Sequence, residues 1–297
     1  MRYQMIAQAN QAPMLALIDD DGQLRGMNTV WSKLAEQGAA PGGPPSLGSL
    51  LSSPDPWALA DRLEAAFKDG ESFEAEVQPD VPIRTGDVFC IGRNYAEHAR
   101  ELGNEIPGEP IIFMKPRNCL IASGQPIVLP VGSEQVHHEG EIVLVMGKDL
   151  VGSVKPAAAR EAVFGVTLMN DVTDRVRQNE LKAGGKPWLV AKGQMSFGPC
   201  GPAVRRLDDH FRFKDLKVQT HVNGKLRQSG GTDLWIFPLP ILLDYLARTF
   251  GLRAGDLIAT GTPAGVGPLM PGDHVEVSCS AIGVLSNSVL ASRAEQG

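Results

Sequence analysis

The sequence predicts an α+β fold in which strands predominate. Three observations carry this: short apolar runs broken by Gly, Pro and Asn beyond residue 84, a hairpin signal at Asn223-Gly224, and one apolar helical stretch over residues 239–250 that Gly251 ends. In chain order the strand candidates are Val88-Phe89-Cys90-Ile91-Gly92, Ile111-Ile112-Phe113-Met114, and residues 142–146, 162–169, 216–222, 257–260 and 274–278. Together they imply one large sheet system. Residues 1–82 have a different texture: a hairpin-like opening, a Gly/Pro-rich stretch over 38–45 and a helix candidate over 56–63. They are expected to form a small N-terminal module ahead of a larger domain over 83–297. Nothing in the module suggests a catalytic constellation, and packing or support of a dimer is its plainer role.

Composition narrows the function. A chain of 297 residues, 43% hydrophobic, can bury a large core. A formal net charge of -6 with scattered Lys and Arg argues against a nucleic acid or anionic membrane partner. The pair Arg205-Arg206 reads as solvated. Cys90, Cys119, Cys200 and Cys279 show no CxxC spacing, which favours reduced thiols and a cytoplasmic setting over zinc or a disulfide scaffold. The opening residues lack the pattern of an export signal, and the helical stretch is far short of the roughly 20 residues needed to span a bilayer. No GxGxxG or Walker loop is present, so a nucleotide cofactor is not expected.

Glu139 and Glu141 stand at the head of the 142–146 run, where a strand would aim both carboxylates to one face. Asp171 follows the next apolar run. Three carboxylates without cysteine favour a hard divalent cation: magnesium, manganese or calcium. His98 and Glu101 share one face of a short helix and could act as a general base with its orienting carboxylate, or merely form a solvated face. Lys192 ends an apolar stretch and could supply positive charge to a developing enolate; a surface lysine is the alternative. His137 and His138 point to opposite faces of a strand and read as supporting residues. The glycine-rich stretch 260–267, through its amides and the Thr262 hydroxyl, could hold a substrate carboxylate, or be a plain tight turn.

The order Asn94-Tyr95-x-x-His98-x-x-Glu101, Phe113-Met114-Lys115-Pro116, His138-Glu139-x-Glu141, Asp171, Lys192, Val222-Asn223-Gly224 and Thr260-Gly261-Thr262-Pro263-x-Gly265-Val266-Gly267 resembles the fumarylacetoacetate hydrolase family. The resemblance implies a mixed β-sandwich or β-roll catalytic domain, a homodimer, and magnesium or manganese acting on a small dicarbonyl acid. By matching positions it implies Glu139, Glu141 and Asp171 as metal ligands. His98 and Glu101 become a dyad on a mobile lid, and Lys192 an active-site lysine. Arg93, Tyr95, Arg175, Gln178 and Thr262 become substrate contacts. The activity it implies is hydrolytic carbon–carbon cleavage of a 2,4-dioxo acid, with enol–keto isomerisation, decarboxylation or a non-catalytic metal-binding role as alternatives. Val176, Gly140 and the short link from Gly267 to Pro271 depart from the pattern and bear on substrate choice.

Overall fold

The strand Gly140–Met146 is buried on both faces, because apolar side chains occupy both sides of its alternation. In the computed structural model, which describes residues 1–7, 12–73, 77–101, 103 and 105–292, Val143 and Val145 join one core. Ile142, Leu144 and Met146 join a second. The strand lies between Val163–Asn170 and Leu257–Ala259, antiparallel to both. Beyond Leu257–Ala259 come Val88–Gly92, parallel to it, and the edge strand Ile111–Met114. Gly198–Arg206 pairs with the far side of Val163–Asn170. Among the described residues this is an 11-stranded sheet.

The expected single sheet system is divided in the structure. Lys217–Val222 and His274–Cys279 belong to a separate 5-stranded sheet, which presents Val218, Val277 and Leu285 to Ile142, Leu144 and Ile258 of the larger sheet. Strand propensity reports a residue's fit to a pleated surface and not the identity of its neighbour, which here comes from far along the chain. The result is an α+β fold of two facing sheets. A 3-stranded ribbon of Thr173–Asp174, Val136–His138 and Gly267–Pro268 adjoins them. The sheets approach closely at Gly140, where an added Cβ would stand 2.1 Å from Thr220 Oγ1. Glycine between the two glutamates is therefore the complement of Thr220.

The helix Leu239–Thr249 buries Leu239, Leu242, Leu243, Leu246 and Ala247, the i, i+3, i+4, i+7, i+8 stripe of an amphipathic helix. Gly251, at φ 70°, follows its end and donates its N–H to Ala247 O at 3.2 Å. Residues before 82 continue the large sheet: Arg2–Ala7 pairs with Gly198–Arg206, with Arg2 opposite Arg205. Helix Pro56–Ala65 starts on Asp55, whose side chain accepts from Ala58 N at 3.0 Å, and on proline at its first turn. Its Leu59 and Leu63, with Trp31 and Leu50, share a core with Val143, Val145 and Val204.

Arg206 is not solvated as expected. It pairs with Asp61 at 2.7 Å and Glu64 at 3.2 Å, and only 14% of its side chain is exposed. Arg205 pairs with Asp208 at 2.7 Å. The four cysteines are buried and free. Among the described residues no helix is long and apolar enough to cross a membrane.

Candidate active site

Two hydrogen bonds tie the Glu139 and Asp171 segments together. Asn170, at the end of its strand, accepts from Glu139 N at 2.9 Å, and Asp171 N donates to Glu139 O at 2.8 Å. Glu141 is fixed by Gly261 N, which donates to its Oε2 at 2.8 Å. One oxygen from each of Glu139, Glu141 and Asp171 then lies within 4.8 Å of the others, and each residue is under 5% exposed.

Positive charge is packed against two of the three. Lys192 Nζ is 2.8 Å from Glu139 Oε2 and 2.5 Å from Asp171 Oδ2, and Arg175 donates to Glu139 Oε1. Burial alone would push Glu139 up, but the Lys192 ammonium and the Arg175 guanidinium outweigh it and hold its carboxyl well below the usual range. Burial opposes the charge on Lys192, and Asp171 and Glu139 more than offset it, so the ammonium persists. Glu141 meets no such partner: burial first, then the charges of Asp171 and Glu139, push it well up. Asp171 Oδ1 is ion-paired with Lys115 Nζ at 2.8 Å. A buried acid that makes no ion pair among the described residues, Glu141, and an all-oxygen donor set fit a hard divalent cation held by Glu139, Glu141 and Asp171.

His98 is buried and faces this cluster from the helix Ala96–Glu101. Its Nδ1 is 3.3 Å from Glu101 Oε2, so the two residues expected to share a helix face do so. Burial lowers its pKa below the ordinary 6.5, against the pull of Glu139 and Glu101. Glu101 also accepts from Gly265 N at 3.0 and 3.1 Å. The amides of the 260–267 stretch thus hold two of the site's own carboxylates, Glu141 and Glu101. Gly265 has φ 100°, and an added Cβ would stand 2.0 Å from Arg227 O. Gly265→Ala is expected to displace the amide from Glu101 and lower turnover by about tenfold or more, the equivalent of a charge-assisted hydrogen bond. Steady-state kinetics beside a circular dichroism spectrum checks this; a correctly folded variant with full turnover would refute the latch.

The acids and His98 line a cavity of about 160 Å³, walled on its apolar side by Ile91, Phe113 and Trp188. This lies well below the ~300 Å³ at which pockets for drug-sized ligands begin, so it suits a small molecule. The helix Arg175–Ala183, capped by Asp174, which accepts from Arg177 N at 3.0 Å, turns Arg175, Gln178, Asn179 and Lys182 to this cavity. Arg175 donates to Gln178 Oε1 at 2.6 Å. Arg93 also lines the cavity and has φ 57°, an uncommon conformation for a residue other than glycine. Its neighbour Asn94 enforces the turn by donating to Thr260 O at 2.9 Å and accepting from Phe237 N at 2.8 Å.

Thr262 lines the cavity as well. Tyr95 does not: it is 2% exposed in the second core and accepts from Trp235 Nε1 at 3.0 Å. His138 bonds Gln228 at 3.0 Å and His137 bonds Gln135 at 3.1 Å, both supporting contacts. Sequence reasoning missed four residues. Asn179 and Lys182 were findable, since 175, 178, 179 and 182 are one helical face. Lys115 stood within the family motif with no role assigned to it, and Gln228 carried no local signal.

Residues 87–290 match the family described as fumarylacetoacetate (FAA) hydrolase, C-terminal. The chain is 39% identical over 212 residues to an oxaloacetate tautomerase from Bos taurus, covering 70% of this chain and 93% of that protein. It is similar across 99% of its length to all of a 5-carboxymethyl-2-hydroxymuconate delta-isomerase structure from Mycobacterium smegmatis, with TM-score 0.74 and 30% identity. A fumarylacetoacetate hydrolase from Exiguobacterium antarcticum superposes with TM-score 0.79 at 28% identity, over 98% of this chain and 99% of that one.

Proposed function

Because the chain belongs to the fumarylacetoacetate hydrolase family, we propose that it is an enzyme of small 2-oxo acids whose central step moves a proton between an enol oxygen and the adjacent carbon. The observation that carries this reading is the buried His98, paired with Glu101, beside the three acids in one cavity that Arg175 and Lys192 also line. A divalent cation bound by Glu139, Glu141 and Asp171 would polarise the 2-oxo oxygen and stabilise negative charge there. Arg175, with Gln178, offers hydrogen bonds to the substrate carboxylate, and Lys192 places a persistent ammonium beside the oxygen that gains charge. His98, neutral at pH 7, takes the proton from one site and returns one to the other, and Glu101 orients its ring.

Tautomerisation is favoured by the 39% identity to an oxaloacetate tautomerase. Hydrolytic cleavage of a 2,4-dioxo acid uses the same residues. His98 takes a proton from a water that attacks the distal carbonyl carbon, and the carbon–carbon bond then breaks to release an enolate that is reprotonated. The structural likeness to a fumarylacetoacetate hydrolase supports this as the second reading. The test is turnover of oxaloacetate and of acylpyruvates with magnesium, with manganese and with chelator, read by the ultraviolet absorbance of the enol and by product mass. Chelator-sensitive change without loss of mass supports tautomerisation, and two acid fragments support hydrolysis. Absence of turnover on every substrate would remove the proposal.

The pH dependence has a definite sign. His98 must be unprotonated to accept a proton, and its conjugate acid dissociates below 6.5 because the ring is buried. The rate is expected to rise with pH along a limb centred below 6.5 and then to level off. A profile of kcat/KM from pH 4.5 to 8 checks this; a His98-dependent limb centred above pH 7 would contradict it.

A further inference from the structure

The strand Lys225–Gly231 of the 5-stranded sheet lies tightly against the glycine-rich stretch 260–267. An added Cβ at Gly230 would stand 2.6 Å from Pro263 Cβ, and one at Gly265 would stand 2.0 Å from Arg227 O. Between these two approaches lies Gln228, which is 1% exposed. Its Nε2 donates to Pro263 O at 2.8 Å and to Thr262 Oγ1 at 2.7 Å. Its Oε1 accepts from Gly140 N at 3.0 Å and meets His138 Nδ1, also at 3.0 Å. Pro263 O only accepts and Gly140 N only donates, so the amide has one orientation and His138 carries its hydrogen on Nδ1.

Both ends of this amide meet backbone that bears the site. Gly140 separates Glu139 from Glu141. Thr262 and Pro263 sit between Gly261, whose N–H holds Glu141 at 2.8 Å, and Gly265, whose N–H holds Glu101 at 3.0 Å. Gln228 is not among the described residues that line the cavity. We propose that Gln228 is a positioning residue of the cation site. Its amide clamps the Gly140 peptide to the 260–267 stretch, and so keeps Glu139 and Glu141 at the spacing at which one ion meets both. Groups that hold a metal's ligands in place affect affinity without touching the ion. The proposal rests on the reading of Glu139, Glu141 and Asp171 as ligands of a divalent cation.

The test is manganese binding read by electron paramagnetic resonance, which counts the free ion, reports the symmetry of the bound one and needs no substrate. Gln228→Met removes the amide, and Gln228→Asn shortens it so that it cannot span both sides. Each is expected to weaken manganese about tenfold, the lower end for losing such a partner, and to alter the spectrum of the bound ion. Gln228→Glu, kept protonated by burial, retains an acceptor for Gly140 N and a donor for Pro263 O, and is expected to bind nearly as tightly as wild type. A role confined to filling buried space would lower the unfolding midpoint in chelator and leave the affinity and spectrum of the folded protein as they were. Should Gln228→Met fail to fold, Gln228→Asn carries the comparison. Unchanged affinity and spectrum in the folded disrupting variants, or an equal loss in Gln228→Glu, overturns the proposal and leaves the cation site standing. If the wild-type protein binds no manganese, both fall.

Discussion

Replacing His98 by asparagine is expected to lower turnover by about 10²- to 10⁴-fold, the usual contribution of a positioned general base, and to leave cation affinity nearly unchanged. The two effects separate because His98 belongs to the helix Ala96–Glu101, whereas Glu139, Glu141 and Asp171 come from the ends of two sheet strands. Asparagine keeps a polar side chain of similar reach, so the helix can still pack and Glu101 can still meet Gly265 N. Steady-state kinetics paired with calorimetric titration of magnesium reads both quantities. Full turnover in the variant would remove His98 from the mechanism. Loss of cation binding would mean that the helix helps build the metal centre.

The largest expected effect on stability is at Lys115. Its side chain is fully buried, its Nζ is 2.8 Å from Asp171 Oδ1, and it donates to Val172 O at 3.2 Å and to Lys192 O. One ammonium thus ties together the segment bearing a metal-ligand candidate and the segment bearing the active-site lysine candidate. Lys115→Met fills the same space without charge. It leaves two backbone carbonyls short of a donor and Asp171 with Lys192 as its remaining cationic neighbour. The expected cost is about 3 kcal/mol, at the lower end for breaking a buried ion pair, because Lys192 still compensates Asp171. Denaturant unfolding in the presence of chelator measures it. A midpoint unchanged from wild type would show that Lys115 is replaceable by packing alone.

Much of this was readable from local pattern. Val88–Gly92 and Ile111–Met114 agree residue for residue with their apolar runs, and the helix expected over 239–250 is found as Leu239–Thr249. Asn223-Gly224 turns the hairpin, with φ 50° and 72°. Asp171, beyond a second strand, joins the glutamates only through the pairing of the two strands, whereas Glu139 with Glu141, and His98 with Glu101, were visible because spacing along one extended segment or one helical turn already fixes their relative direction. Lys115 and Gln228 were not. A lysine after a strand and a glutamine within a polar strand look solvated until Asp171 and Thr262 are brought beside them by the fold. Tyr95 shows the converse: its place in a motif suggested the cleft, and its partner Trp235, unseen in the local sequence, holds it in the core.

The pairing of Arg2–Ala7 with Gly198–Arg206 has a consequence for how the chain reaches its native state. On one side Arg2–Ala7 pairs with nearby Met14–Ile18, but on the other it waits for a neighbour some two hundred residues downstream, and contacts this distant in sequence carry a loop-closure cost before they stabilise anything. Until then Tyr3, Leu15 and Leu17 lack Val143, Val145 and Val204 of the large sheet as core partners. Folding is therefore expected to end with the docking of Arg2–Ala7 and Met14–Ile18, through an intermediate in which the sheet around Gly140–Met146 is already protected from hydrogen exchange and these two strands are not. Pulse-labelled exchange during refolding would show that order directly.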